Sequence, residues 1–353
     1  MQQHVAPTLV ISSLHSKING QIIPHKKPRS EFSVFDIYEL FGDAKVNGCQ
    51  VAVIELSASN LARFVYEGLI FDAGVLTNLS HDHLNEDLNF HHYSKTHKEV
   101  FLNILRNKKL NKIAILPKDD KAGRQWFDEL PFDKKTNYSS TSSAILKAYN
   151  VQRFLNGTTF DIDYLRQLSI RTQLVGLFNV DNILAALGLA FQIGLDPNAL
   201  IPTIESFSGL ASRMSAIHHQ DQHYYFDIAH SPDALDKTLQ FLTHIKGNGR
   251  LIVMFSAPDF VQAQQRSHIS TIVERYANIM IITEHYTGNA EKLVVLDDLS
   301  KELHSKQEAD LFIIPDRTLA TQFALEIGQV HDVFLFTSPN DMLIVKQFLK
   351  IQF

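Results

Sequence analysis

The chain has 353 residues, 33 basic and 38 acidic side chains, a formal charge of -5, and 45% apolar against 20% charged residues. That length exceeds one ordinary core, so two domains are expected, and the charge balance excludes the basic footprint of a nucleic-acid or anionic-membrane binder. Cys49 is the one cysteine, which excludes an internal disulfide or cysteine-ligated zinc; with no signal-peptide pattern and no apolar run of about 18 residues, the expected location is the cytoplasm.

In chain order, "QVAVIEL" (50–56), "DAGVLTNL" (72–79) and "KIAILP" (112–117) read as buried strands. Residues 91–107 and 119–130 read as helices, the second capped by Asp119 or Asp120. Strands alternating with helices predict a mostly parallel sheet covered by helices. Residues 144–176 hold three β segments joined by turns, a small antiparallel part. Helices follow over 179–194, where Asn179 is the candidate cap, and over 196–207, with Asp196 as cap and Pro197 in the first turn. A second α/β unit begins near residue 215: "HYYFDIAH" (223–230), a helix opened by Ser231 and Pro232, then "GRLIVMFSA", "NIMIITEHY", "DLFIIP" and "DVFLFTS". This predicts a Rossmann-like C-terminal domain (215–353) after a first α/β domain (1–214). Ligands of such folds sit beyond the strand C-termini, which selects Glu55, the segment Asn78 to His83, and Asp227 with His230.

"TNLSHDHLN" (77–85) sets two histidines around one aspartate at a strand end. Such a cluster suits a metal, or else a polar loop with one hydrogen-bonded histidine. The pairs His91/His92 and His218/His219 read as exposed surface.

Several segments together resemble the Mur ligases, ATP-dependent enzymes that add amino acids to UDP-N-acetylmuramoyl peptides, and above all the branch that adds the third residue. "TNLSHDHLN" is similar to the family's T-N-L-S-R-D-H-L-D. Tyr93, Lys98 and Phe101 fall close to its Y-x-x-x-K-x-x-L-F helix. "AVIELSAS", "LVGLFNVDNILAALG", "SGLASRMSAI" and "FDIAHSPDALDKTL" resemble four further motifs, in the same order. The resemblance implies the Mur central domain followed by its Rossmann-like C-terminal domain. It implies ATP and Mg²⁺ as cofactors, with a UDP-muramoyl-peptide-like substrate and an amino acid as partners. Glu55 and His83 would be magnesium ligands, although Mg²⁺ ordinarily prefers oxygen. Lys98 would match the family's carbamylated lysine. Asn182 and Arg213 would contact the nucleotide, and Asp227 would hold ribose hydroxyls beside His230.

The departures concern the chemistry. The family carries a G-x-x-G-K-T/S loop ahead of the segment aligned to Glu55, whose N–H groups and lysine hold phosphates. No such motif occurs in these 353 residues, and residues 1–49 correspond to the part of the family's chain after that loop. The family's G-C-G-G-D-R-D is replaced by "FSAPDFVQAQQR", its D-N-P-R by "TEHYTGNAE", and its G-K-G-H-E by "TSPNDML". Three readings stand. The first is a Mur-type ligase impaired as this chain alone, either a fragment of one or a chain working with a partner protein that supplies phosphate binding. The second is a non-catalytic nucleotide- or muropeptide-binding homologue or regulator. The third is a metal-dependent phosphohydrolase.

Overall fold

The computed structural model describes the chain apart from residues 1–4, 26, 29–30, 80–89, 165, 230, 259–260, 262, 286–291, 302, 304–308 and 352–353. Three sheets carry the described residues, one more than the alternating pattern predicts. In the first, β1 (Thr8–Ile11), β2 (Ser16–Ile18) and β3 (Gln21–Ile23) pair antiparallel. Asn19 and Gly20 turn β2 into β3 with φ of 50° and 84°; the Asn-Gly pair suits a two-residue hairpin turn that needs positive φ twice. Helix α1 (Val34–Val46) returns the chain to β4 (Val51–Ile54), which runs parallel to β1.

The second sheet comes after a short helix α2 (Ala58–Ala62). Its parallel part holds β5 (Ala73–Val75), β6 (Ile113–Pro117), β7 (Lys134–Ser139) and β8 (Leu146–Phe154), joined by α3 (Phe90–Arg106) and α4 (Lys121–Glu129). Strands β9 (Gly157–Tyr164) and β10 (Arg166–Thr172) extend it antiparallel, as expected for 144–176. Helices α5 (Leu177–Gln192) and α6 (Pro197–Ser206) come next. The expected Asp196 cap and first-turn Pro197 of α6 are both present. The expected cap of α5 is not: Gly176, at φ 88°, takes the N-cap and Asn179 lies inside the helix. A left-handed φ at that junction favours glycine over asparagine.

Helix α4 lies unusually close to β6. A Cβ added at Gly123 would stand 2.2 Å from the Pro117 carbonyl oxygen and 2.8 Å from two Pro117 ring carbons. The Gly123 N–H also donates to the Asp120 cap at 2.9 Å. Gly123→Ala should therefore cost about 1–3 kcal/mol by overpacking, read as a lower urea midpoint with an unchanged slope. An effect below about 0.5 kcal/mol would mean the helix shifts freely.

The third sheet runs β11 (Ser215–His219), β12 (Gln222–Phe226), β16 (Val333–Phe336), β13 (Leu251–Phe255), β14 (Ile279–Ile282), β15 (Asp310–Ile313) in spatial order. Only β11 is antiparallel to its neighbour. Helices α7 (Pro232–Ile245), α8 (Ala263–Tyr276), α9 (Lys292–Ser300), α10 (Arg317–Glu326) and α11 (Asp341–Leu349) cover its faces. The central strands are buried throughout, as parallel strands covered on both faces must be. The Rossmann-like reading of the C-terminal part holds, with Ser231 capping α7 as expected. The second and third sheets are tied together. Val175 and Phe178, at the start of α5, pack in the core beneath the third sheet, and the Tyr225 hydroxyl donates to the Leu155 carbonyl at 2.7 Å. No described helix is long and apolar enough to cross a membrane.

Candidate functional site

The strand C-termini of the second sheet gather acids and hydroxyls. Asp119 and Asp120 come after β6, Ser139 to Ser142 lie at the end of β7, and Asp181 lies in the second turn of α5. Asp120 accepts from the Leu79 N–H at 2.8 Å. Tyr138 donates its hydroxyl to the Leu76 and Thr77 carbonyls at 2.8 and 3.0 Å. These bonds anchor the start of the "TNLS" segment. Burial raises the Tyr138 phenol, and the charges of Asp181, Asp120 and Asp119 raise it further, so all three carboxylates lie near it. Burial opposes the charge on Asp119, but the hydroxyls of Ser139, Ser142 and Thr141 outweigh it and lower the carboxyl. Asp181 goes the other way. Burial pushes it up to about 6, with Asp119 adding repulsion, against a bond from the Ser140 N–H and the attraction of Lys237. Lys237 belongs to α7, so the charge of this corner is met from across the junction with the third sheet.

The second corner lies beyond β12. Arg213 sits between Ser212 and Met214, at φ 56° and 48°, left-handed conformations that are costly for residues other than glycine and that concentrate at functional sites. The loop is held in place. Ser212 donates its hydroxyl to the Pro339 carbonyl at 3.1 Å and its own carbonyl accepts from the Ile228 N–H at 3.0 Å. Met214 is buried in the core. The Arg213 side chain is thereby left exposed while its charge acts on Asp227. Asp227 accepts from the Thr238 hydroxyl at 3.0 Å. Burial raises its carboxyl, opposed by Thr238, Arg213 and the backbone N–H groups of Met214 and Ile228.

The sequence-predicted residues divide accordingly. Arg213 and Asp227 form one corner. Asn182 is exposed one turn beyond Phe178, bonded to Asn179 at 3.2 Å, where α5 meets the core of the third sheet. Glu55 comes directly after β4 in the first sheet, and its carboxylate accepts from the Ser13 N–H at 2.5 Å. Lys98 is ion-paired to Glu129, the last residue of α4, about 13 Å of helix away from the Asp120 end. Lys98 therefore points toward the opposite end of the sheet from the acid corner. Counting Y-x-x-x-K-x-x-L-F from Tyr93, with Phe101 in register, puts the lysine position on His97. Its Nδ1 faces the Tyr93 carbonyl at 2.9 Å, its ring lies 4.5 Å from the Tyr93 ring, and burial lowers its pKa. A carbonyl only accepts, so His97 donates to Tyr93 through Nδ1. His81, Asp82, His83 and His230 lie outside the described residues. Among the described residues no group of three or more histidine, cysteine, aspartate or glutamate side chains could hold a metal. The described part therefore offers no complete magnesium shell to test Glu55 against.

Sequence reasoning passes over Asp181 and the Asp119–Ser139 pair. The signal is present: "KDD" closing a buried strand reads as a helix cap alone, and Asp181 stands inside the N-x-x-N helix motif.

Comparison with known proteins gives a consistent result. Residues 2–190 match the Mur ligase middle domain, and residues 212–340 the Mur ligase glutamate ligase domain. The UDP-N-acetylmuramoyl-L-alanyl-D-glutamate–2,6-diaminopimelate ligase of Haemophilus influenzae is 27% identical over 338 residues, covering 94% of this chain and 67% of that relative. A solved structure of such a diaminopimelate ligase superposes with a TM-score of 0.67 at 22% identity, covering 99% of this chain and 73% of the other. MurF ligase from Thermotoga maritima, solved in complex with ADP, superposes with a TM-score of 0.67 at 13% identity, covering 91% and 72%.

Proposed function

The chain belongs to the Mur ligase family, and from that premise we infer that these 353 residues bind an adenine nucleotide and a UDP-muramoyl-peptide-like substrate, but need phosphate binding from outside them to turn over. The observation that carries this reading is an asymmetry. The corner suited to a nucleoside is built and charged: Asp227 held by Thr238, Arg213 aimed outward by a strained, anchored loop, and Asn182 exposed on α5. The G-x-x-G-K-T/S loop that would hold the phosphates is absent from the sequence. A carboxylate such as Asp227 accepts hydrogen bonds from ribose hydroxyls, and a guanidinium such as Arg213 offers charge and a stacking plane to the base. The relative from T. maritima was solved with ADP, which fits that assignment. Mg²⁺, when bound with a nucleotide, would neutralise phosphate charge; Glu55 is the described candidate to ligate it.

Catalysis of phosphoryl transfer is mostly positioning and electrostatic stabilisation. A site without its phosphate cradle should lose turnover by orders of magnitude while keeping affinity for the nucleoside end. Calorimetry with ADP and Mg²⁺ should show saturable binding, weakened at least about tenfold by Asp227→Asn, a loss of about 1.4 kcal/mol. The chain alone, given ATP, Mg²⁺, UDP-muramoyl-dipeptide and diaminopimelate, should release no ADP above background. Amino-acid-dependent ADP release would show a complete ligase instead. Phosphate release without any amino acid would favour the phosphohydrolase, and absence of nucleotide binding would refute the proposal.

A further inference from the structure

The antiparallel extension of the second sheet carries a polar groove on its outer face. Successive residues of a strand point to opposite faces. Phe160, Ile162, Leu168 and Ile170 go inward to the core shared with α5, so Thr159 and Asp161 of β9 and Ser169 and Arg171 of β10 go outward. Tyr149 opposes Asp161 and Gln152 opposes Thr159, so β8 takes three steps where β9 takes two. The extra step falls beside Asn150, at φ 51°. Bulges of this kind re-aim a side chain, and Asn150 is turned onto Asp161. The outward residues line a groove of about 680 Å³, with Glu205 contributed by α6, which packs beside β10. That is room for a small molecule.

Two rows of side chains cross the groove. In the first, Asp161 accepts from the Ser169 hydroxyl at 2.6 Å on one oxygen and from the Asn150 amide at 2.9 Å on the other. These neutral donors, Ser169 foremost, hold its carboxyl below the ordinary value. Asp161 is therefore a fixed, charged acceptor with lone pairs to spare on both oxygens. In the second row, about 6.8 Å along the strands, Gln152, Thr159 and Arg171 stand abreast in register. None of these three side chains has a hydrogen bond or ion pair among the described residues, and neither has the Glu205 carboxylate. A guanidinium flanked by an amide and a hydroxyl offers a carboxylate several donors, two of them from the guanidinium itself. Two acids, Asp161 and Glu205, stand around this one base without pairing to it. A ligand that satisfies both rows carries both signs of charge.

We propose that this groove binds a free α-amino acid as its zwitterion, the carboxylate held by Arg171 with Gln152 and Thr159, and the ammonium by Asp161. An ammonium suits the second position better than a hydroxyl, because the lining carries two acids to one base. The same two acids repel a phosphate. Gln152, Ser169 and Arg171 are exposed, so the ligand's own side chain is left in solvent and a small amino acid serves as the probe. The groove lies on the face of the sheet turned away from α5, apart from both strand-end corners, and no nucleotide is needed to fill it.

The test is a titration of the 353-residue chain with millimolar L-alanine, followed by amide NMR with no nucleotide present. The amides of Gln152, Thr159 and Arg171 should shift saturably, a readout that separates this groove from any amino-acid site elsewhere in the chain. Acetate and ethylamine, which each carry one of the two charges, should bind at least about tenfold more weakly. Arg171→Gln and Asp161→Asn should each weaken alanine binding at least about tenfold. Both replacements sit on the solvent face, and asparagine keeps an oxygen for the Ser169 hydroxyl, so the urea midpoints should stay close to that of the parent chain. The absence of a saturable shift at the three amides would overturn the proposal, as would shifts that survive both substitutions. Acetate binding as tightly as alanine would reduce the groove to a carboxylate clamp, and L-lactate binding as tightly would put a hydroxyl where the ammonium is placed. Either result overturns the amino-acid assignment.

Discussion

Asp341→Ala should destabilise the chain by about 3–5 kcal/mol in a urea titration at pH 7, the cost of leaving one partner of a buried ion pair uncompensated. The side chains of Arg317 and Asp341 are 2% and 0% exposed. Arg317 donates to both carboxylate oxygens of Asp341, at 2.8 and 3.0 Å, to the Ser256 hydroxyl at 2.6 Å, and to the Glu284 carbonyl. Asp341 also accepts from the Ser338 N–H at 3.0 Å. One guanidinium thus ties the C-terminal ends of β13, β14 and β16 to the starts of α10 and α11. Burial nonetheless raises the Asp341 carboxyl in spite of Arg317, so the pair adds little net stability over an apolar replacement. Its removal from one side alone is what costs. The double replacement Arg317→Met with Asp341→Leu should recover more than half of the loss. A cost below about 1 kcal/mol for Asp341→Ala would mean water reaches the abandoned guanidinium.

Neither member of that pair is legible as a core element in the sequence. Each stands in an ordinary helix start, "DRTLA" and "NDMLI", and charged residues there usually serve a cap. The strands of the third sheet are legible because burial on both faces demands continuous runs such as "LIVMF" and "VFLF". Strand β7 is not. Its sequence "KKTNYS" is polar, and Thr136, Asn137 and Ser139 are buried only because side-chain bonds satisfy them. Asn137 accepts from the Ile145 N–H and Thr136 from Gln192, partners that no local pattern announces. The split of the first α/β part into two sheets is equally hidden, since apolar runs show that strands exist and not which neighbours they have. Among the candidate site residues, the ordered motifs single out Arg213 and Asp227, whose charges interact in the fold, and Asn182, which is exposed on α5. Register within a helix is finer than the motif match resolves, as the His97 and Lys98 pair shows.

Asp181→Asn should stabilise the chain by about 1–3 kcal/mol at pH 8 and hardly at all at pH 4. The carboxyl is pushed up to about 6 from an ordinary 3.8, so the folded state prefers it protonated. Stability from this group is fully present below about 3.8, is lost as the pH rises through about 6, and stays lost above. Asparagine keeps an oxygen for the Ser140 N–H, which donates to Asp181 at 2.9 Å, while removing the charge that burial and Asp119 penalise. Urea midpoints of the two proteins should therefore coincide near pH 4 and diverge up to about pH 7. Parallel midpoints across that range would show the acid is solvated and unperturbed. Lys237 supplies the check on cause. It attracts Asp181 across the junction while paired to Asp233 at 2.6 Å on its own helix, so Lys237→Met should move the divergence to higher pH without removing it. A folded chain that keeps an acid at such a cost, beside Asp119 and facing a cation from the other sheet, is spending stability where the fold places its ligands.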